Sequence, residues 1–151
     1  MVDLVSVGPL SLPANGAIII KFRAAINNPV PVGVCQISNQ GAVSADGVST
    51  ILTDDPDVAG AGDPTVTNLM IPPNITSCQS NIVAYTDPGG CTATVNLNAS
   101  ASGCPAPTIT YRIGLTPIPS TYSFPVGITN VTVLVSNGVM PNAFCSFKVT
   151  V

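Results

Sequence analysis

Two runs of apolar–polar alternation dominate the C-terminal part of the chain, Thr129 to Val135 and Phe144 to Val151. Alternation at period two sends successive side chains to opposite faces, as in a half-buried antiparallel strand. Ser136-Asn137-Gly138 lies between the runs and reads as a turn. The same texture predicts strands at Ile75 to Cys78, Ile82 to Tyr85, Cys91 to Asn98, Thr108 to Ile113 and Ser120 to Phe124. Seven short strands in about eighty residues predict an immunoglobulin-like β-sandwich here. Nowhere does the chain carry the i, i+3, i+4, i+7 stripe of an amphipathic helix.

The preceding part is patterned less regularly. Val2, Leu4, Val5, Val7, Leu10 and Leu12 alternate loosely, and Pro13-Ala14-Asn15-Gly16 reads as a turn. Ala17 to Ile26 predicts a strand with Ile18, Ile20, Phe22 and Ala24 on one face and Ile19, Lys21, Arg23 and Ala25 on the other. Asn27-Asn28-Pro29 breaks it, and Val34 to Ser44 and Val48 to Thr53 are further strand candidates. Four strands are too few to close a sandwich. Either the remaining strands of this unit lie elsewhere, or a neighbouring subunit donates them by edge pairing. The expected organisation is therefore a partial immunoglobulin-like unit over 1–53, an acidic Pro/Gly linker over 54–68, and a complete unit over 69–151.

Composition sharpens this all-β reading. Charged residues make up only 7% of the chain, and Glu, His and Trp are absent. A surface made of Ser, Thr, Asn and backbone argues against helices, whose outer faces rely on Lys and Glu. Fifteen Pro and thirteen Gly imply many turns. The net charge is −3, and Lys21, Arg23, Arg112 and Lys148 are the only basic residues. Nucleic-acid binding needs an array of cations that these four cannot supply. No run of 18 apolar residues suggests a membrane span. Met1-Val2-Asp3 lacks the basic and apolar regions of a signal peptide, so either a signal was removed or the chain is a piece of something longer.

The five cysteines are Cys35, Cys78, Cys91, Cys104 and Cys145, with no C-x-x-C pair and no His to complete a zinc site. Two disulfides in an oxidising compartment are one reading; buried free thiols are the other.

The second unit resembles the HYR (hyalin repeat) domain over about 83 residues. The resemblance rests on Pro72-Pro73-Asn74-Ile75-Thr76-Ser77-Cys78, Asp87-Pro88-Gly89-Gly90-Cys91-Thr92-Ala93-Thr94-Val95, Cys104-Pro105-Ala106-Pro107, Phe124-Pro125-Val126-Gly127-Ile128-Thr129-Asn130-Val131-Thr132-Val133 and Cys145-Ser146-Phe147-Lys148-Val149-Thr150-Val151. It departs from the family at Ser102-Gly103 and at Asn137-Gly138-Val139-Met140-Pro141-Asn142. The first unit resembles the C-terminal half of a repeat domain of long bacterial surface proteins, through Leu12-Pro13-Ala14-Asn15-Gly16, Ile37 to Ser44, Thr53-Asp54-Asp55-Pro56 and Asp63-Pro64. Together these resemblances imply a sandwich fold, an extracellular or cell-surface location, a bacterial source and an adhesive or structural role. In such a sandwich the first and last strands can be neighbours. The expected disulfides are then Cys78–Cys145 and Cys91–Cys104, one of three pairings these four cysteines allow, with Cys35 unpaired or bonded to another chain.

Four of the seven acids, Asp54, Asp55, Asp57 and Asp63, fall within ten residues. A flexible loop of carboxylates is a candidate Ca²⁺ site, with a solvated acidic loop as the alternative. No other cofactor is expected. Without His there is no ordinary Ser-His or Cys-His nucleophile pair, and scattered Asp leaves no carboxylate pair for glycoside cleavage, so no enzyme is expected. Lys21 and Lys148 could form isopeptide bonds with Asn, and Asn74, Asn98 and Asn130 head glycosylation sequons. The leading expectation is a non-enzymatic subunit of a surface filament or appendage that polymerises with copies of itself through strand complementation. The alternative is an adhesin module that binds a host carbohydrate or protein, for which Tyr85, Tyr111 and Tyr122 are the available tyrosines.

Overall fold

The computed structural model describes residues 6–27 and 29–151. Val2, Leu4 and Val5 of the first alternating run, and Asn28 of the break after Ile26, lie outside the described residues. Among the described residues the chain forms thirteen β-strands and no helix. Two compact units divide between Val30 and Pro31.

The larger unit is built on a five-stranded sheet whose strands are, in chain order, the short β6 (Ile82–Val83), β9 (Thr108–Ile113), β10 (Thr116–Ile118), β12 (Ile128–Ser136) and β13 (Ala143–Thr150). Their order across the sheet is β10-β9-β12-β13-β6. β12 pairs antiparallel with both β9 and β13, and β6 runs parallel to β13. Two antiparallel pairs pack on this sheet through a shared core. One joins β5 (Ile71–Cys78) to β8 (Ala99–Cys104); the other joins β7 (Thr92–Asn96) to β11 (Thr121–Pro125). The arrangement is consistent with a β-sandwich. The inward positions of the alternating runs fill it. Val131, Val133, Val135 and Val149 are fully buried, and Phe124, Phe147, Val95, Leu97 and Tyr111 complete the cluster. Each such valine contributes roughly 1.5–3 kcal/mol of transfer free energy.

β5 begins four residues earlier than the alternation indicated and includes Pro72-Pro73. It has a single partner, β8, and an edge strand tolerates residues without an N–H. The expected Cys91–Asn98 strand is β7, ending at Asn96, and β8 follows at Ala99–Cys104, where no strand was expected. Between them Leu97 N–H bonds to Ser120 O (2.6 Å) and Asn98 N–H to the Gln79 side-chain oxygen (2.8 Å).

Residues 31–70 of the same unit carry two ribbons. β1 (Gln36–Asn39) pairs with β4 (Thr65–Asn68), and β2 (Ala42–Ala45) with β3 (Val48–Leu52). Asp46-Gly47 makes the two-residue turn of the β2–β3 hairpin, with Gly47 at φ +75°. The expected single strand from Val34 to Ser44 is thus two, separated at Gln40-Gly41. The 54–68 stretch is a loop followed by β4 within this unit, rather than a linker between units, because β4 returns to pair with β1.

In the smaller unit the turn at Pro13 to Gly16 forms. Gly16 N–H donates to Pro13 O (2.8 Å), and Asn15 adopts the left-handed conformation at φ 62°. Ala17 to Ile26 is not a strand. Its residues alternate as those of β13 do, but a strand exists only as one side of a hydrogen-bonded ladder, and among the described residues none is formed with it.

Candidate assembly surface

The sandwich buries its apolar positions, whereas the segments before it do not. Every described residue from Ser6 to Asn27 is exposed, including Ile18, Ile19, Ile20, Phe22 and Ile26; Ile19 is 81% exposed. From Pro31 to Met70 the only buried residue is an acid, Asp55, while Val43, Val48, Ile51, Leu52, Val66 and Met70 are exposed. These exposed apolar side chains sit on backbone that is unpaired or paired on one side only.

Two disulfides frame the larger unit. Cys78 at the end of β5 is bonded to Cys145 in β13, joining the two layers of strands. Cys35 is bonded to Cys104, so neither the Cys91–Cys104 pairing nor an unpaired Cys35 is found. Cys104 is buried beside the chain entering β1, whereas Cys91 lies exposed before β7 with a free thiol. The Cys35–Cys104 bridge fixes the base of the β1–β4 ribbon, where Leu69 N–H also bonds to Cys35 O (2.8 Å). Nothing in the sequence pattern marked Cys35 as the partner, because its neighbours are exposed.

The four aspartates of the acidic stretch are not gathered as ligands. Among the described residues no group of three or more His, Cys, Asp or Glu is placed to hold a metal ion. Instead they organise the loop between β3 and β4. Asp54 Oδ1 accepts from the backbone N–H of Gly62 (2.8 Å) and Asp63 (3.3 Å), Asp55 Oδ1 from Asp57 N–H (3.1 Å), and Asp63 O from Asp55 N–H (3.1 Å). The Gln40 side-chain amide reaches across to Thr53 O (3.3 Å) and to Gly62 O. Carboxylates turned onto backbone donors this way act as turn caps.

The three tyrosines are likewise not brought to one place. Tyr111 is buried in the core, and Tyr122 packs edge-on against Phe124 with centroids 5.0 Å apart. Tyr85 alone presents a largely exposed ring, at 91%. Burial raises the Tyr111 hydroxyl above its ordinary pKa, opposed by a hydrogen bond with the Ala99 backbone. Asn74, Asn98 and Asn130 of the sequons are all exposed, as are Lys21 and Lys148.

A feature that sequence reasoning read only as a turn is Asn137. Its side-chain amide donates to Ile71 O (2.9 Å) and Pro105 O (2.8 Å), and its oxygen accepts from Val139 N–H (3.1 Å). It joins the turn after β12 to the start of β5 and to the segment after Cys104.

Among the described residues no helix is long and apolar enough to cross a membrane. Two disulfides indicate a non-reducing environment of the extracellular kind. No family model, curated protein or solved structure matches the chain.

Proposed function

We propose that this chain is a non-enzymatic, extracellular structural subunit that assembles with copies of itself into a surface filament or appendage. The observation that carries the reading is the contrast in burial along one chain. Residues 71–151 seal an apolar core, while the described residues before them present most of their isoleucines and valines and Phe22 to solvent and bury only Asp55. Apolar surface of that extent is driven to find a cover. The alternating Ala17–Ile26 segment has the pattern of a strand without a ladder, which suits addition to the open edge of a neighbouring sheet. Open edges are available at β10 and β6 of the five-stranded sheet.

We read the 71–151 sandwich as immunoglobulin-like. Joining β7 and β8 as one bent strand gives a layer of order β5-(β8/β7)-β11 against β6-β13-β12-β9-β10. That order resembles an immunoglobulin domain whose first strand splits between the two sheets. Such a stapled sandwich would serve as the rigid rod, and the N-terminal segments as the adhesive part. The HYR resemblance of residues 72–151 supports the same role.

Light scattering across a concentration series tests the proposal. Mass rising with concentration supports it. A species of single-chain mass at every concentration removes it.

A further inference from the structure

The chain contains three Asp–Pro bonds, at Asp55–Pro56, Asp63–Pro64 and Asp87–Pro88. An Asp–Pro bond is the weakest peptide bond in mild acid. The aspartyl carboxyl can close a five-membered ring on its own main-chain carbonyl carbon, and the proline nitrogen, a tertiary amide without N–H, accepts a proton and leaves. The attack is intramolecular and gains from proximity, provided the carboxyl is free to turn onto the carbonyl.

The loop geometry separates the three bonds. All three scissile carbonyls accept a backbone N–H: Asp55 O from Val58, Asp63 O from Asp55 (both 3.1 Å) and Asp87 O from Gly90 (2.9 Å). A donor on that oxygen favours the tetrahedral intermediate in each case. The carboxyl groups differ. Asp87 Oδ2 accepts from both the N–H (3.0 Å) and hydroxyl (2.8 Å) of Thr94. Asp55 is buried and its Oδ1 holds Asp57 N–H. Asp63 Oδ2 is buried and has no hydrogen-bond partner among the described residues. It lies where a side chain at position 60 would stand, and Gly60, at φ +148°, leaves that space open. A desolvated oxygen without a partner gives up no hydrogen bond when it attacks.

We propose that Asp63–Pro64 is a self-cleavage site. The Asp63 carboxyl attacks the Asp63 carbonyl carbon, forming a C–O bond. The C–N bond to Pro64 breaks as the nitrogen takes up the carboxyl proton. Water then opens the cyclic anhydride, restoring the Asp63 side chain and leaving a new α-carboxyl group. One water is consumed and no other reactant is needed. Cleavage does not release the piece. Cys35 lies on the 1–63 side and Cys104 on the 64–151 side, so the disulfide holds the halves together. The product is a nicked chain with a new N-terminus at Pro64.

The test incubates the native protein in mildly acidic buffer and reads intact mass together with reducing and non-reducing electrophoresis. The expected result is a gain of one water in the intact species and a single band without reductant. With reductant, the fragments 1–63 and 64–151 appear. Asp63→Ala abolishes them, and so does Pro64→Ala, which keeps the carboxyl and removes the tertiary amide. Absence of fragments from the native chain overturns the proposal, as does native cleavage at Asp55–Pro56 or Asp87–Pro88 at the rate of Asp63–Pro64. Persistence of the fragments in either variant overturns it equally.

Discussion

Cys35 is bonded to Cys104 across 69 positions, with their Cα atoms 5.3 Å apart. Residues 31–70 are therefore anchored twice, by the chain where it enters β5 and by the disulfide at the base of the β1–β4 ribbon. Little else can hold a segment whose only buried residue is an acid. Cys35→Ser is expected to lower stability by about 2–4 kcal/mol, in keeping with the closure of a long loop. It should also make residues 31–70 the first site of protease attack. Denaturant melts and limited proteolysis with mass mapping check both.

The sandwich and the N-terminal segments should respond oppositely to loss of an aromatic ring. Phe124 is fully buried against Tyr122, whereas Phe22 is half-exposed. Phe124→Ala is expected to cost about 3–5 kcal/mol by transfer loss and cavity formation. Phe22→Ala should leave the melting of the isolated chain within about 0.5 kcal/mol yet weaken self-association. Chemical denaturation and sedimentation of the two variants separate these effects.

Asn137 ties three backbone segments with one side chain. Asn137→Ala leaves the carbonyls of Ile71 and Pro105 without their donor and should destabilise by about 1–3 kcal/mol. Asn137→Asp is expected to be no better, since a carboxylate cannot donate to either carbonyl. Thermal melts of both variants give the comparison.

Stability should fall in strong base because of Tyr111. Its folded-state pKa lies above the ordinary 10.0, chiefly through burial. The folded state then keeps the proton where the unfolded state has lost it, so stability is full below pH 10.0 and falls as pH rises through the folded value. Tyr111→Phe should flatten this fall. Urea melts on either side of pH 10.0 show whether it does.

Much of the sandwich was legible in the chain, and the reasons are local. At Val131, Val133 and Val135 the period-two pattern coincides with complete burial, because β12 has a partner on each side. The same pattern at Ile18, Ile20 and Phe22 gave no strand, since pairing is a property of two segments and only one is visible to a periodicity argument. The Asp46-Gly47 turn falls in the gap already expected between Val34–Ser44 and Val48–Thr53, whereas the unexpected break at Gln40-Gly41 carries no such two-residue hairpin signal. The Cys104 partner could not be read, because spacing along the chain carries no information on which ribbon folds back beside β8. The acidic stretch resembled a linker because the Asp54 and Asp55 carboxylates cap turns, a use of Asp that composition does not distinguish from solvation.

We propose that another copy of the chain covers the exposed apolar segments before the sandwich. Negative-stain imaging of the purified protein beside an Ile18→Asp/Ile20→Asp variant decides the matter. Ordered polymers are expected for the parent chain and dispersed single particles for the variant, with the sandwich melting unchanged. Dispersed single particles from both, at every concentration, would contradict it.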